Sequence, residues 1–116
     1  MKRGEVWTLR DDRDGGKARP VVIVQSDLAD ASDSVILTLF TTFANQAVDG
    51  RVAVEPAATN GLLLPSFVMV EKLLTVRRSE LGARVGSLTD EQMHDISRQL
   101  AQVLGITMAD LAGAPR

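Results

Sequence analysis

Cysteine is absent from this 116-residue chain, which excludes disulfides, thiolate metal sites and cysteine nucleophiles. Tyrosine is absent too, and with one Trp and three Phe the chain is too poor in aromatics to build the groove of a proline-rich-peptide reader. The single histidine, His94, rules out paired-histidine acid–base catalysis within one subunit, and no H-E-x-x-H or Cys/His cluster supplies a zinc site. No apolar run approaches the roughly 20 residues of a bilayer span. The opening Met1-Lys2-Arg3-Gly4-Glu5 lacks the apolar stretch of a secretion signal. These absences predict a cytoplasmic protein with no membrane contact, no metal and no cofactor, and the length suits one domain over 1–116.

Charge is scarce in net terms and uneven along the chain. The formal net charge is −2, against a nonspecific polyanion binder. Residues 1 to 19 nevertheless hold six bases (Lys2, Arg3, Arg10, Arg13, Lys17, Arg19) against four acids. Residues 20 to 70 hold one base, Arg51, against five acids, and residues 71 to 87 turn basic again with Lys72, Arg77, Arg78 and Arg84 against Glu71 and Glu80. Two such segments predict one anion-facing groove; solvated surface charge is the alternative.

The richest motif is Gly15-Gly16-Lys17-Ala18-Arg19-Pro20, followed at once by Val21-Val22-Ile23-Val24-Gln25. Paired glycines free the backbone, and Pro20 disfavours helix at the residue before it, so Arg19 is held extended at the mouth of a strand buried on both faces. A guanidinium fixed in this way suits a phosphate or carboxylate, the alternative being a loop arginine paired with Asp12 or Asp14. The spacing is not that of a P-loop, and Asp11, Asp12 and Asp14 among arginines and glycines describe a solvated loop rather than a cation site. Beside Arg19 and Lys17 stand the hydroxyls of Thr38, Thr41 and Thr42 at the end of the third strand. Such a set can stabilise a pentacovalent phosphate while the substrate provides the nucleophile, and RNA carries one in its 2′-hydroxyl.

Periodicity predicts a mainly β chain with one C-terminal helix. Strands are expected at Gly4 to Leu9, Val21 to Gln25, Ser34 to Thr41, Arg51 to Glu55 and Ser66 to about Val76, with a short one near Ala83 to Val85. Arg10 to Ala18 is expected as a mobile loop. Strands at this spacing suggest a small barrel over about 2–86. Thr89 and Gln92 form a capping box for a helix over about 89–104, whose stripe Met93, Ile96, Leu100, Val103 and Leu104 packs on the barrel and stops at Gly105. His94 falls on its outer side, and a short tail follows. Leu62-Leu63-Leu64 and the strand after it are more apolar than a lone barrel needs, which predicts a homodimer.

Taken in order, Lys2-Arg3-Gly4-Glu5-Val6-Trp7, Gly16 to Gln25, the strand end Leu39-Phe40-Thr41, and Ser66-Phe67-Val68-Met69-Val70-Glu71-Lys72 resemble the MazF/PemK-like toxins of bacterial type II toxin–antitoxin systems. The resemblance runs from about Lys2 to Gly105. It implies an SH3-like small β-barrel of the CcdB/PemK type with a C-terminal helix, assembled as a homodimer that cuts single-stranded RNA at short sequences without a metal. Implied products are a 2′,3′-cyclic phosphate and a 5′-hydroxyl. The family's catalytic arginine falls on Arg19 and its catalytic threonine on Thr41, with Thr42 as a one-residue register alternative. Arg13, Lys17, Gln25, Thr42, Ser66 and Lys72 form the expected RNA-binding set. A cognate antitoxin with an acidic disordered segment is the implied partner. One departure stands out: many members have an uncharged polar residue after the glutamate and an arginine two positions on, whereas this chain has Lys72, Leu73 and Leu74, which bears on base preference. The alternative from another class is a CcdB-type toxin, which binds DNA gyrase and has no catalytic centre.

Overall fold

The computed structural model describes residues 1–11, 15–29, 33–42 and 50–113, so Arg13, with Asp12 and Asp14, lies outside the described residues. Six strands, β1 (Glu5–Asp11), β2 (Lys17–Ile23), β3 (Ser34–Thr41), β4 (Val52–Val54), β5 (Ser66–Arg77) and β6 (Leu81–Ser87), form one antiparallel sheet in the order β4-β5-β3-β2-β1-β6. Helix α1 (Asp90–Leu104) and a single-turn helix α2 (Met108–Leu111) follow. The expected mainly β fold with a C-terminal helix is the one observed, its sheet curled into a half-barrel.

Residues of β2 explain why both faces of the sheet are apolar. Val22, with Val24 just past the strand end, packs toward α1 with Val6, Val68, Ile96 and Leu100, whereas Val21 and Ile23 join Val35, Leu37, Val76 and Leu81 on the other face. A continuous Val/Ile run is what a strand buried on both sides requires. In β5 the pairing jumps from Thr38↔Leu73 to Leu39↔Met69, leaving Val70, Glu71 and Lys72 as extra residues. An insertion of this kind bends and twists its strand, and it lets one strand of 12 residues pair first with β4 and then along the whole of β3.

Three local expectations change. β1 and β2 extend into the segment expected as a mobile loop, pairing Arg10 with Ala18 and Asp11 with Lys17. Cross-strand hydrogen bonding outweighs the low strand propensity of these residues, while Gly15 and Gly16 take φ of +67° and +75°, as a tight reversal requires. Pro20 therefore sits inside β2 rather than at its start. It is opposite Thr8 of β1, and pairing with β3 begins only at Val21, after the residue that lacks an N–H.

At the C-terminal end, α1 has the expected capping box and ends at Gly105 in the left-handed conformation, but only the N-terminal part of its apolar stripe is covered. Ile96 and Leu100 are buried, while Val103 and Leu104 are about half exposed. The unassigned tail contains α2, capped by Thr107 and Asp110. His94 is exposed, as its position on the helix predicts.

One buried polar residue organises the turn before β5. Asn60, 3% exposed, accepts from the N–H groups of Ala57 (3.1 Å) and Leu62 (2.9 Å) and donates to the Glu55 carbonyl (2.9 Å). This places Leu62 in the core and brings the turn so close to β6 that a Cβ at Gly86 would lie 2.5 Å from the Thr59 carbonyl oxygen.

Candidate active-site cavity

The β2–β3 ladder pairs Val21 with Leu39, Val22 with Thr38 and Ile23 with Leu37. Continued two residues toward the strand ends, this register sets Arg19 opposite Thr41, on the face that carries Val21, Ile23 and Leu37. Arg19 and Thr41 both line an open cavity of about 410 Å³. Its other polar residues are Arg10 and Glu80, and its walls include Pro20, Leu39, Phe40, Met69 and Leu74. Apolar walls with a few converging polar groups form the usual environment of a ligand site. Here the polar groups are a strand-mounted guanidinium and a hydroxyl, which can neutralise a phosphate oxygen and orient it at once.

Other residues expected at the site are distributed unevenly. Thr42 is exposed directly after Thr41, and Lys17 is exposed two residues before Arg19 in β2. Gln25 lies two residues past the opposite end of β2. Its side chain is engaged there: Nε2 donates to the Ala29 carbonyl (3.1 Å) and Oε1 accepts from the Ile36 N–H (3.3 Å), tying the β2–β3 connection to β3. Ser66 is buried at the start of β5, its hydroxyl donating to the Leu64 carbonyl at 2.8 Å. Lys72 is exposed on the β5 bulge and is not part of the cavity lining. Thr38 lies on the sheet face away from the cavity, fully buried, with its Oγ1 lacking a hydrogen-bond partner among the described residues.

The expected convergence of two basic segments is realised only in part. The first brings Arg10 and Arg19 to the cavity, whereas the second brings an acid, Glu80. Arg84 is turned to Glu5, whose Oε2 lies 3.1 Å from its Nε. Burial works to raise the Glu5 carboxyl, but hydrogen bonds from the Lys2 N–H and the Trp7 indole, with the Arg84 charge, hold it below its ordinary value. Glu71 serves the sheet: Arg51 reaches it with Nη2 at 2.8 Å and Nε at 3.2 Å, and this paired hydrogen bonding holds the Glu71 carboxyl below its ordinary value. Arg10 and Glu80 were each visible in the charge pattern. Their meeting was not, because it depends on β1 extending to Asp11 and on the single 3₁₀ turn Arg78–Glu80 between β5 and β6.

Comparison with known proteins identifies the family. Residues 2–104 match the family model described as PemK-like, MazF-like toxin of type II toxin-antitoxin system. The chain is 40% identical over 107 residues to a probable endoribonuclease MazF of Mycolicibacterium smegmatis, covering 91% of this chain and 98% of that protein. It is 37% identical over 93 residues to the endoribonuclease MazF6 of Mycobacterium tuberculosis, covering 78% of this chain and 81% of the other. Among solved structures, an endoribonuclease in complex with its cognate antitoxin from a mycobacterial species superposes with a TM-score of 0.77 at 27% identity, over 92% of this chain and 97% of that one. With a match covering all six strands and α1, the chain belongs to the PemK-like, MazF-like toxin family of type II toxin–antitoxin systems.

Proposed function

We propose that this chain is the toxin of a toxin–antitoxin pair and acts as an endoribonuclease on single-stranded RNA, with Arg19 and Thr41 at its reacting centre. The observation that carries this reading is the placement of both side chains on one cavity, at adjoining strand ends of one sheet face. The related proteins named as endoribonucleases support it. In the proposed reaction the substrate's 2′-hydroxyl attacks the adjacent phosphorus and loses its proton to solvent. The bond to the 5′-oxygen breaks, and that oxygen takes up a proton. The products are a 2′,3′-cyclic phosphate and a 5′-hydroxyl. The Arg19 guanidinium neutralises the charge that builds on the phosphoryl oxygens, and the Thr41 hydroxyl fixes their orientation. Leu39, Phe40 and Leu74 offer surface against which a splayed base stacks.

The protein would act in the cytoplasm as a homodimer, for which Leu63 (92% exposed) and Leu64 (58% exposed) supply apolar surface. Its antitoxin would bring an acidic segment to Arg10 and Arg19, in competition with RNA. The gyrase-binding alternative has less support, because the matched family is the PemK/MazF one and a cavity joins the arginine to the threonine. The test is a time course on end-labelled single-stranded RNA with EDTA present. Cleavage that persists, leaves a cyclic phosphate and stops on a single 2′-deoxy substitution at the scissile nucleotide is the expected outcome. Activity that requires added magnesium, or that ignores the deoxy substitution, would refute the mechanism.

A further inference from the structure

A second open cavity, of about 470 Å³, adjoins the first. It is lined by Thr8, Ala18, Ser79 and Gly82, and Arg10 and Glu80 belong to the lining of both cavities. Its frame is well fixed. Arg10 is held opposite Ala18 in the β1–β2 hairpin, and the turn carrying Glu80 is anchored by the Arg78 N–H on the Asp33 carbonyl (2.8 Å) and by buried Leu81 opposite Leu9. At its floor Thr8 Oγ1 accepts the Ala83 N–H at 2.9 Å, so closely that a Cβ on Gly82 would meet that oxygen at 2.5 Å. The volume falls within the roughly 300–1,000 Å³ typical of small-ligand sites.

A carboxylate between two cavities that receive a polyanion needs a chemical reason. Glu80 repels phosphate, and an ionised carboxylate accepts hydrogen bonds but donates none, so its favourable partners on RNA are the 2′-hydroxyl, which every nucleotide carries, and an N–H of a base, which alone tells one base from another. Adenine, cytosine and guanine each present an exocyclic amine on the Watson–Crick edge. Uracil presents one N–H flanked by two carbonyl oxygens, which a carboxylate repels. Arg10, on the same shared wall, is a partner for the intervening phosphate. Resting on the reading of the Arg19 cavity as the scissile site, we propose that the second cavity is the subsite for the neighbouring nucleotide and that Glu80 is the specificity residue that admits an amine-bearing base and rejects uracil there.

The experiment compares the full-length protein with Glu80→Gln on an RNA library randomised around one cleavage site, with cut positions read by sequencing. The wild type should discriminate against uracil at one flanking position by roughly tenfold in kcat/KM, the scale of one well-made base contact. Glu80→Gln, which keeps the shape and loses the charge, should bring that ratio close to one while preferences at the other positions persist. As a second reading on the wild type, removing the exocyclic amine from the preferred base at that position should cost a similar factor, and Glu80→Gln should be insensitive to it. Unchanged discrimination against uracil in Glu80→Gln, or a uniform loss of rate with every positional preference intact, would overturn the proposal while leaving the nuclease reading in place. No cleavage by the wild type on any RNA would instead refute the nuclease reading, and this proposal with it.

Discussion

On the α1 side of the sheet, Val6, Val22, Val68 and Val70 are closed over by Ile96 and Leu100; on the other side Val21, Ile23, Val35 and Leu37 are as deeply buried, yet their cluster opens into the Arg19–Thr41 cavity. The same strands and the same residue types build both faces. What differs is the cover. A capped amphipathic helix lies along one face, whereas the other is walled by the curl of the sheet itself, through Leu81 of β6 and the far half of β5. The cavity forms where the β2–β3 ladder stops, two residues short of Arg19 and Thr41. A rigid apolar layer thus sets the positions of polar side chains that project beyond its last pair, and only the face without the helix leaves a cavity for the proposed chemistry.

That division predicts a separation of effects. Ile96→Ala opens a hole in the closed face, where the side chain is fully buried, and should lower stability by about 2–5 kcal/mol in denaturant unfolding. A loss below about 1 kcal/mol would mean that α1 is not the main cover of the core. The Arg51–Glu71 pair joins the β4–β5 edge, and neither residue lines the Arg19–Thr41 cavity. Because the folded Glu71 carboxyl is held below its ordinary value of 4.5, its contribution is present above that pH and is lost as pH falls through the lower, folded value. For a partly exposed pair this amounts to about 1 kcal/mol. Unfolding measured from pH 7 down to 3 should show a shallower decline in Glu71→Gln, and an identical pH profile would contradict the assignment. The smallest effect concerns Thr38, the hydroxyl turned away from the cavity. Its buried Oγ1 has no hydrogen-bond partner among the described residues, so Thr38→Val should leave stability unchanged or raise it slightly and leave RNA cleavage intact. A marked fall in either would show that the hydroxyl has a function on its own face of the sheet.

Strong local signals made much of the molecule legible in advance. Ser34–Thr41 is a β-branched and apolar run with clear ends, and its predicted bounds are the observed ones. Thr89, Gln92 and Gly105 fixed both ends of α1 for similar reasons. The hairpin was harder, since Arg10, Asp11, Lys17 and Ala18 have no strand pattern of their own and gain their structure from pairing with each other. Asn60 gave a turn signal but no hint of burial, because its three hydrogen bonds close only when the turn meets β6. Thr107 and Asp110 carried a capping spacing that reveals α2 once sought. At the site, Arg19 and Thr41 were visible one by one and through family resemblance. Their shared face follows from the strand register. Glu80 could not be foreseen at the cavity, because its place depends on the β5 bulge and the turn after it.

The central claim is that Arg19 acts on chemistry and contributes little to the fold, and it is tested most directly by measuring RNA cleavage and unfolding on the same preparation of Arg19→Ala. The exposed position of this side chain predicts stability within about 0.5 kcal/mol of the wild type. Single-turnover cleavage should fall roughly 100-fold or more, with only partial recovery in Arg19→Lys, since a lysine lacks the planar fork. A folded Arg19→Ala protein that cuts RNA at the wild-type rate would contradict the account.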